Sequence, residues 1–222
     1  MYYRTATSVN PTLQPLPGHA RQERSHYFFT EEEACLLSAI MDKPYRHFIE
    51  VREYAHLGKV LAFIRGETPQ YSLSLTTRSA FRQPVAEVLS RHLGEQCNLS
   101  PGRISDIKTC VQEAVMNAII HGNLMIEPAN RATDHFRHYL DSISAAAEDE
   151  VLGLKRVSVF AWIDDQRLTI CVCDQGAGFS LDQPTSDIAA PYGRGLPLIR
   201  AMSHRLWQTA PNRLYMQFLT HG

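Results

Sequence analysis

Apolar and polar positions recur at helical spacing most clearly between Ile104 and Asn123. At about 100° per residue, Ile104, Ile107, Val111, Ala114, Val115 and Ala118 fall within one arc roughly 100° wide, as in a stripe that faces a core. Glu113, Asn117 and His121 are four residues apart in turn, so they stack on a neighbouring flank. Ser100 offers a side-chain cap, and Pro101 suits the first turn, where its missing N–H is no loss. The spacing therefore predicts a helix over 106–123 with a carboxylate and an amide side by side at the border of its core face. His121, near the helix end, reads as a partner for the last carbonyls.

The remaining pattern divides the chain. Residues 1–25 are polar and carry Pro11, Pro15, Pro17 and Gly18, the composition of a flexible tail. TEEEACLLSAIM opens with Thr30 and Glu33 in capping-box spacing and predicts a helix. A second helical piece is expected over Tyr45 to His56, followed by the apolar KVLAFI, so that residues 26–70 form a small amino-terminal helical extension. It packs either on the main domain or on another subunit, and the pattern leaves both open. Tyr71 to Thr77 alternates as a strand, and Phe81, Val85, Val88 and Leu89 predict one helix over Arg78 to Leu93. The insert 124–156 is polar except for Phe136, Tyr139, Leu140 and Ile143, which mark an amphipathic helix ending in AEDE. VSVFAWI and LTICVCD read as a hairpin turned by DDQR. The loop DQGAGF, a linker over 180–192, a glycine turn entering the helix GRGLPLIRAMSHRL and a last strand RLYMQFL complete residues 71–222. This order predicts an α+β fold, a two-layer sandwich with a mixed sheet covered by helices on one face.

Composition narrows the classes of function. A chain of 222 residues that is 44% apolar buries one good core. Its net charge of −1 exerts no long-range pull on nucleic acid or anionic lipid, so protein or small-molecule partners are expected. The opening MYYRTATSVN lacks the apolar run of a signal peptide, and no stretch approaches membrane-spanning length; a cytoplasmic location is the expectation. The five cysteines form no metal-type pair of pairs. Cys171 and Cys173 share one face of a strand, where free cysteines serve as small buried hydrophobes.

Two further clusters carry candidate chemistry. Asp174 ends a strand ahead of Gly176 and Gly178, which allow close backbone approach or positive φ. A carboxylate there accepts a hydrogen bond from an exocyclic amine such as that of adenine, although Asp-x-Gly is also common turn chemistry. Gly193 and Gly195 precede a helix whose free N–H groups and dipole suit an anion, and Arg194 adds a formal charge.

Taken in order, EAVMNAIIHGN, DQGAGF and GRGLPLIRAM resemble the N, G1 and G2 boxes of the GHKL ATPase superfamily, which includes histidine kinases, Hsp90-type chaperones and MutL. The strand and helix leading in from Tyr71 and the short linker between the last two boxes are most similar to its anti-sigma-factor serine kinase branch, of RsbW type. The resemblance covers roughly Tyr71 to Thr220 and implies the Bergerat ATP-binding fold, with ATP and Mg²⁺ as cofactors. Box by box, it implies that Asn117 holds Mg²⁺ and that Glu113 is the general base. It makes Asp174 the adenine-reading acid, with Gly176 and Gly178 shaping the pocket. Gly193, Arg194 and Gly195 become the lid hinge and phosphate clasp, and 180–192 the ATP lid. His121 and Asn123 are expected to contact the pocket.

The implied function is a serine/threonine protein kinase of a partner-switching system, an anti-sigma-type regulator that phosphorylates a STAS-type anti-anti-sigma protein and binds a sigma factor, as a homodimer. No nucleic-acid or membrane partner is expected. The alternatives are a regulator in which ATP only sets conformation, and a histidine kinase catalytic domain. The latter calls for a phosphoacceptor His, often followed by an acidic residue, whereas His47 precedes Phe48 and His56 precedes Leu57. The first 70 residues and the insert 124–156 have no counterpart in a minimal kinase of this branch.

Overall fold

The structure, a computed structural model, describes residues 25–52, 54–126, 133–179, 181 and 195–220. The tail up to residue 24, the linker apart from Leu181, Gly193 and Arg194 lie outside the described residues, as does the side chain of Phe136. Seven strands among them form one open mixed sheet in the order β1-β2-β3-β4-β5-β7-β6. Strands β1 (His26–Phe29), β2 (His47–Glu50) and β3 (Tyr71–Thr76) run parallel to one another. Strands β4 (Arg156–Ile163), β5 (Arg167–Cys173), β6 (Arg205–Ala210) and β7 (Arg213–Leu219) continue the sheet antiparallel. The fold is α+β, as predicted.

The hairpin β4–β5 turns where Asp164 N–H bonds the Arg167 carbonyl at 2.9 Å. Asp164 Oδ1 accepts from Gln166 N–H at 2.9 Å, which is why an Asp opens such a turn. Cys171 and Cys173 on β5 are both buried and free, their sulfurs 3.5 Å apart. Burial pushes the Cys171 thiol far up, so it packs as an apolar group.

The central helix α5 (Pro101–Asn117) is capped by Ser100, whose hydroxyl accepts from Arg103 N–H at 3.3 Å. Ile107, Val111, Ala114, Val115 and Ala118 are buried as the stripe requires, and Ile104 fills the space beside Gly94 of α4 (Val85–Gln96). Beyond Asn117 the helix widens into a π turn over Ala118–Asn123, closed by Leu124 N–H on the Ile119 carbonyl at 2.9 Å.

Three elements differ from the pattern reading. The helix expected over 78–93 is two, α3 (Thr77–Arg82) and α4, because Pro84 holds Gln83 extended at φ −105° and ψ 150°. The carboxy-terminal helix α7 (Gly195–Met202) stops four residues early, where the Ser203 hydroxyl bonds the Ile199 carbonyl, and β6 follows. The piece expected to be helical over 45–56 contains β2, and the helix α2 (Tyr54–Glu67) comes after it. A four-residue strand with Phe48, Ile49 and Glu50 all buried has no alternation to betray it.

Residues 26–70 are thus part of the sheet. Thr30 and Glu33 form the expected capping box, with Thr30 N–H on Glu33 Oε2 at 2.8 Å and Glu33 N–H on Thr30 Oγ1 at 3.4 Å. They open a 3-10 turn (Glu33–Leu36) that runs into α1 (Leu37–Met41) over the main core. By contrast, Leu57, Val60, Leu61, Phe63 and Ile64 of α2 pack on the opposite sheet face, against Ile49, Phe160, Cys171 and Cys173. Helices therefore cover part of both faces, where the sequence predicted one.

The insert helix α6 (Thr133–Glu148) buries Ile143 and Ala147, while Leu140 is exposed. Its acidic end is gripped by Arg78, 8% exposed, which donates to the carbonyls of Ala147 at 3.2 Å and Glu148 at 2.8 Å. Arg78 also pairs with Glu31 at 3.6 Å, so one guanidinium joins the amino-terminal segment, α3 and the insert.

Candidate nucleotide site

The three motif segments meet at one end of α5. Glu113 and Asn117 are half-buried on the flank beside the core stripe. The first residue of α7, Gly195, lies directly against them: a β-carbon built on it would stand 2.6 Å from Glu113 Oε2 and 3.3 Å from Asn117 Nδ2. With no side chain at Gly195, the start of α7 approaches Glu113 and Asn117 without displacing their tips. Pro197 occupies the first turn of α7, where it needs no donor.

The π turn sets the other wall. With bonds reaching five residues back, positions four apart no longer superpose past Asn117, and Gly122 takes the place the even spacing gave to His121. A β-carbon on Gly122 would stand 2.6 Å from Asp174 Cγ. His121 is exposed, and its Nδ1 donates to the Ile126 carbonyl at 2.9 Å, three residues past the helix end and not to one of the last helical carbonyls. Asn123 is 0% exposed. Its Nδ2 donates to Thr77 Oγ1 at 2.7 Å and to the Arg156 carbonyl at 3.0 Å, while its Oδ1 accepts from Gln175 N–H at 2.7 Å. Its amide is spent inside the protein, so it fixes the floor and leaves contact to other groups.

Asp174 ends β5 half-buried, and its Oδ1 accepts from Gly176 N–H at 2.7 Å. Burial raises its pKa above the ordinary carboxylate value, against the Gly176 N–H and the charge of Lys155, which lower it. Gly176 packs on the Gly122 carbonyl, where a β-carbon would come within 2.1 Å. Gly178 has φ of +78° and abuts the backbone of Pro211. The loop therefore uses one glycine for close approach and the other for its left-handed turn.

The sequence reading did not single out the residues that hold this loop. Asn212, in the β6–β7 turn, donates from Nδ2 to the Asp174 carbonyl at 2.8 Å. Gln208 on β6 accepts from Leu181 N–H at 2.9 Å and donates to the Phe179 carbonyl at 3.1 Å, which anchors the start of the expected lid. Lys155 donates to the Asn123 carbonyl at 2.9 Å. The Pro211-Asn212 turn dipeptide was visible in the chain; Gln208 and Lys155 carry no such mark.

Gly195 thus stands against Glu113 and Asn117, and Gly122 against the Asp174 carboxylate. Among the described residues no cluster of three or more His, Cys, Asp or Glu could hold a metal ion, and no helix is long and apolar enough to cross a membrane. Among curated proteins no sequence matches the chain. The family model for a histidine kinase-like ATPase domain matches residues 75–218, from the end of β3 to the end of β7. With that match spanning well over half of the sequence, and the three segments converging within it, the chain belongs to the histidine kinase-like ATPase domain family.

Proposed function

We propose that the protein is an ATP-dependent serine/threonine kinase that acts as a partner-switching regulator, binding a target such as a sigma factor and phosphorylating a STAS-type antagonist. What supports the reading is the arrangement at Gly195, where the third motif lies against both Glu113 and Asn117. Mg·ATP supplies the transferable phosphoryl group and neutralises its charge. Asp174 accepts from the adenine amine, with Gly122 leaving its carboxylate room. Asn117 would offer an oxygen ligand for Mg²⁺, an ion that commonly takes few protein ligands and completes its shell with phosphate oxygens and water. The third motif, Gly193, Arg194 and Gly195, would supply N–H donors and a cation to the phosphates; the first two lie outside the described residues. Glu113, one helical turn from Asn117, takes the proton from a seryl or threonyl hydroxyl of the docked protein. Phosphoryl transfer needs mainly such positioning and charge stabilisation.

The test is to incubate the protein with γ-labelled Mg·ATP and a STAS-domain antagonist, then treat the product with acid and alkali. Acid-stable, alkali-labile label on the antagonist is the expected result. Acid-labile label on the protein itself would point to a histidine kinase. ATP binding without any label would leave a regulator in which nucleotide sets conformation alone, and would overturn the kinase assignment.

A further inference from the structure

Glu50, the last residue of β2, is a carboxylate only 1% exposed, in a segment that precedes the matched domain. It accepts from Thr76 N–H at 2.7 Å, from the Thr76 hydroxyl at 3.0 Å and from the Ser79 hydroxyl at 2.9 Å, at the start of α3. Its carbonyl accepts from Arg156 Nη2 at 3.0 Å, and the same guanidinium donates to the Ser74 carbonyl at 2.8 Å and hydroxyl at 2.9 Å. Burial draws the Arg156 pKa down, and the Glu50 charge opposes it.

Two chains of bonds lead from here to the loop that carries Asp174. Arg156 donates its own N–H to Gln175 Oε1 at 2.7 Å and accepts at its carbonyl from Asn123 Nδ2 at 3.0 Å. From Thr76 the route passes to its neighbour Thr77, whose hydroxyl accepts from Asn123 Nδ2 at 2.7 Å, and then to Gln175 N–H through Asn123 Oδ1. Gln175 is the residue after Asp174 and is pinned at both its side chain and its N–H by these bonds. The next residues include Gly176 and Gly178, which lend the loop no stiffness of their own.

We infer that Glu50 is a positioning residue for the nucleotide site: through Thr76, Thr77 and Asn123 its carboxylate ties strand β2 to the adenine-reading loop, so that order in residues 26–50 and affinity for adenine rise and fall together. An apolar residue in its place would leave the Thr76 N–H and the Thr76 and Ser79 hydroxyls without their acceptor, so the carboxylate holds the start of α3 in place. From Thr76 the chain passes to Thr77, and Thr77 is linked through Asn123 to Gln175 in the loop bearing Asp174. Linkage is reciprocal, so whatever orders β1–β2 strengthens ATP binding, and ATP in turn orders β1–β2.

The inference rests on the ATP reading of the site, and the test separates the two. In the full chain, titration calorimetry measures binding of ATP and of purine riboside triphosphate, which lacks the exocyclic amine. Hydrogen exchange is followed at residues 26–50 with and without saturating ATP. Wild type is expected to prefer ATP and to show slower exchange in this segment when ATP is bound. Glu50→Leu, checked for folding by near-ultraviolet circular dichroism, is expected to lose that protection and to shrink the preference for ATP by about fivefold or more, the lower range of ordinary coupling. Glu50→Gln, which keeps an acceptor, should recover part of both. A folded Glu50→Leu protein with wild-type preference and protection overturns the inference while leaving the ATP site intact. Should Glu50→Leu not fold, unchanged exchange at 26–50 on adding ATP to wild type overturns it equally. A wild type that binds no ATP overturns the site reading, and the inference falls with it.

Discussion

The carboxylate of Asp174 lies over the bare α-carbon of Gly122, so close that a β-carbon there would stand 2.6 Å from its Cγ. A residue of the first motif thus decides whether the acid of the second can hold its place. Gly122→Ala is expected to push Asp174 aside. The atoms displaced belong to a side chain, so the melting temperature should change little. Loss of one hydrogen bond to a charged group costs about 1.5–3 kcal/mol, so calorimetry should find ATP binding weakened by about 10- to 150-fold. Wild-type affinity in this variant would remove Asp174 from adenine recognition.

The titration of Asp174 has a definite sign. Its folded pKa is raised, chiefly by burial, so its contribution to stability is present below the unfolded pKa and is lost as pH rises through the folded value. At neutral pH the empty site therefore carries an unfavourable charge. Asp174→Asn keeps an acceptor for Gly176 N–H and is expected to raise the melting temperature of the nucleotide-free protein by a small amount while weakening ATP by about tenfold or more. Wild-type ATP affinity should fall as pH drops toward that raised pKa, and the variant should be insensitive over the same range.

Asn117 and Glu113 are expected to separate binding from chemistry. Asn117→Ala should abolish the Mg²⁺-dependent part of ATP binding, measured by titration with and without chelator. Glu113→Ala should bind ATP as wild type does and lose about 10²- to 10⁴-fold in transfer rate, the usual contribution of a general base. Equal ATP affinity in wild type and Asn117→Ala would refute the metal assignment.

At the opposite edge of the sheet, burial, with help from His26 and Arg46, lowers the His47 pKa from 6.5 to about 4. The rings of His26 and His47 are 4.8 Å apart, and His47 Nδ1 bonds the Ser72 hydroxyl at 3.0 Å. His26 is lowered too, by burial and Arg65. Because the folded pKa is depressed, the stability from His47 is complete above about pH 6.5 and is lost as pH falls to about 4. Denaturant midpoints should therefore drop across that window, and His47→Gln should flatten the drop. Parallel curves for the two proteins would show that His47 does not titrate as described.

What the chain disclosed in advance follows from what periodicity can carry. The stripe on α5, the Ser100 cap, the Thr30–Glu33 box and the β4–β5 hairpin were legible because each is a local pattern. The motifs led to residues that the fold brings together, with Gly195 on Glu113 and Gly122 on Asp174. β2 was not legible, since a short strand buried on both faces has no period. Nor was the π turn, which replaced His121 by Gly122 at the pocket wall without any change in residue type to announce it. Asn123 was marked as a contact, but its neighbours Thr77, Arg156 and Gln175 are 33 to 52 residues away in the chain, beyond any local signal.

The pairing of β3 with β4 joins residues such as Ser74 and Ser158, 84 positions apart. During synthesis at roughly 5–20 residues per second, β3 leaves the ribosome about 4 to 17 s before its antiparallel neighbour. Non-local pairings of this kind are slow to form and leave strand edges open to aggregation in the meantime. β1 and β2 are made first, and β2 pairs with the other edge of β3, so one side of β3 has its partner at hand before β4 is made. The amino-terminal segment then serves as a guard in the polysome as well as a support in the finished molecule.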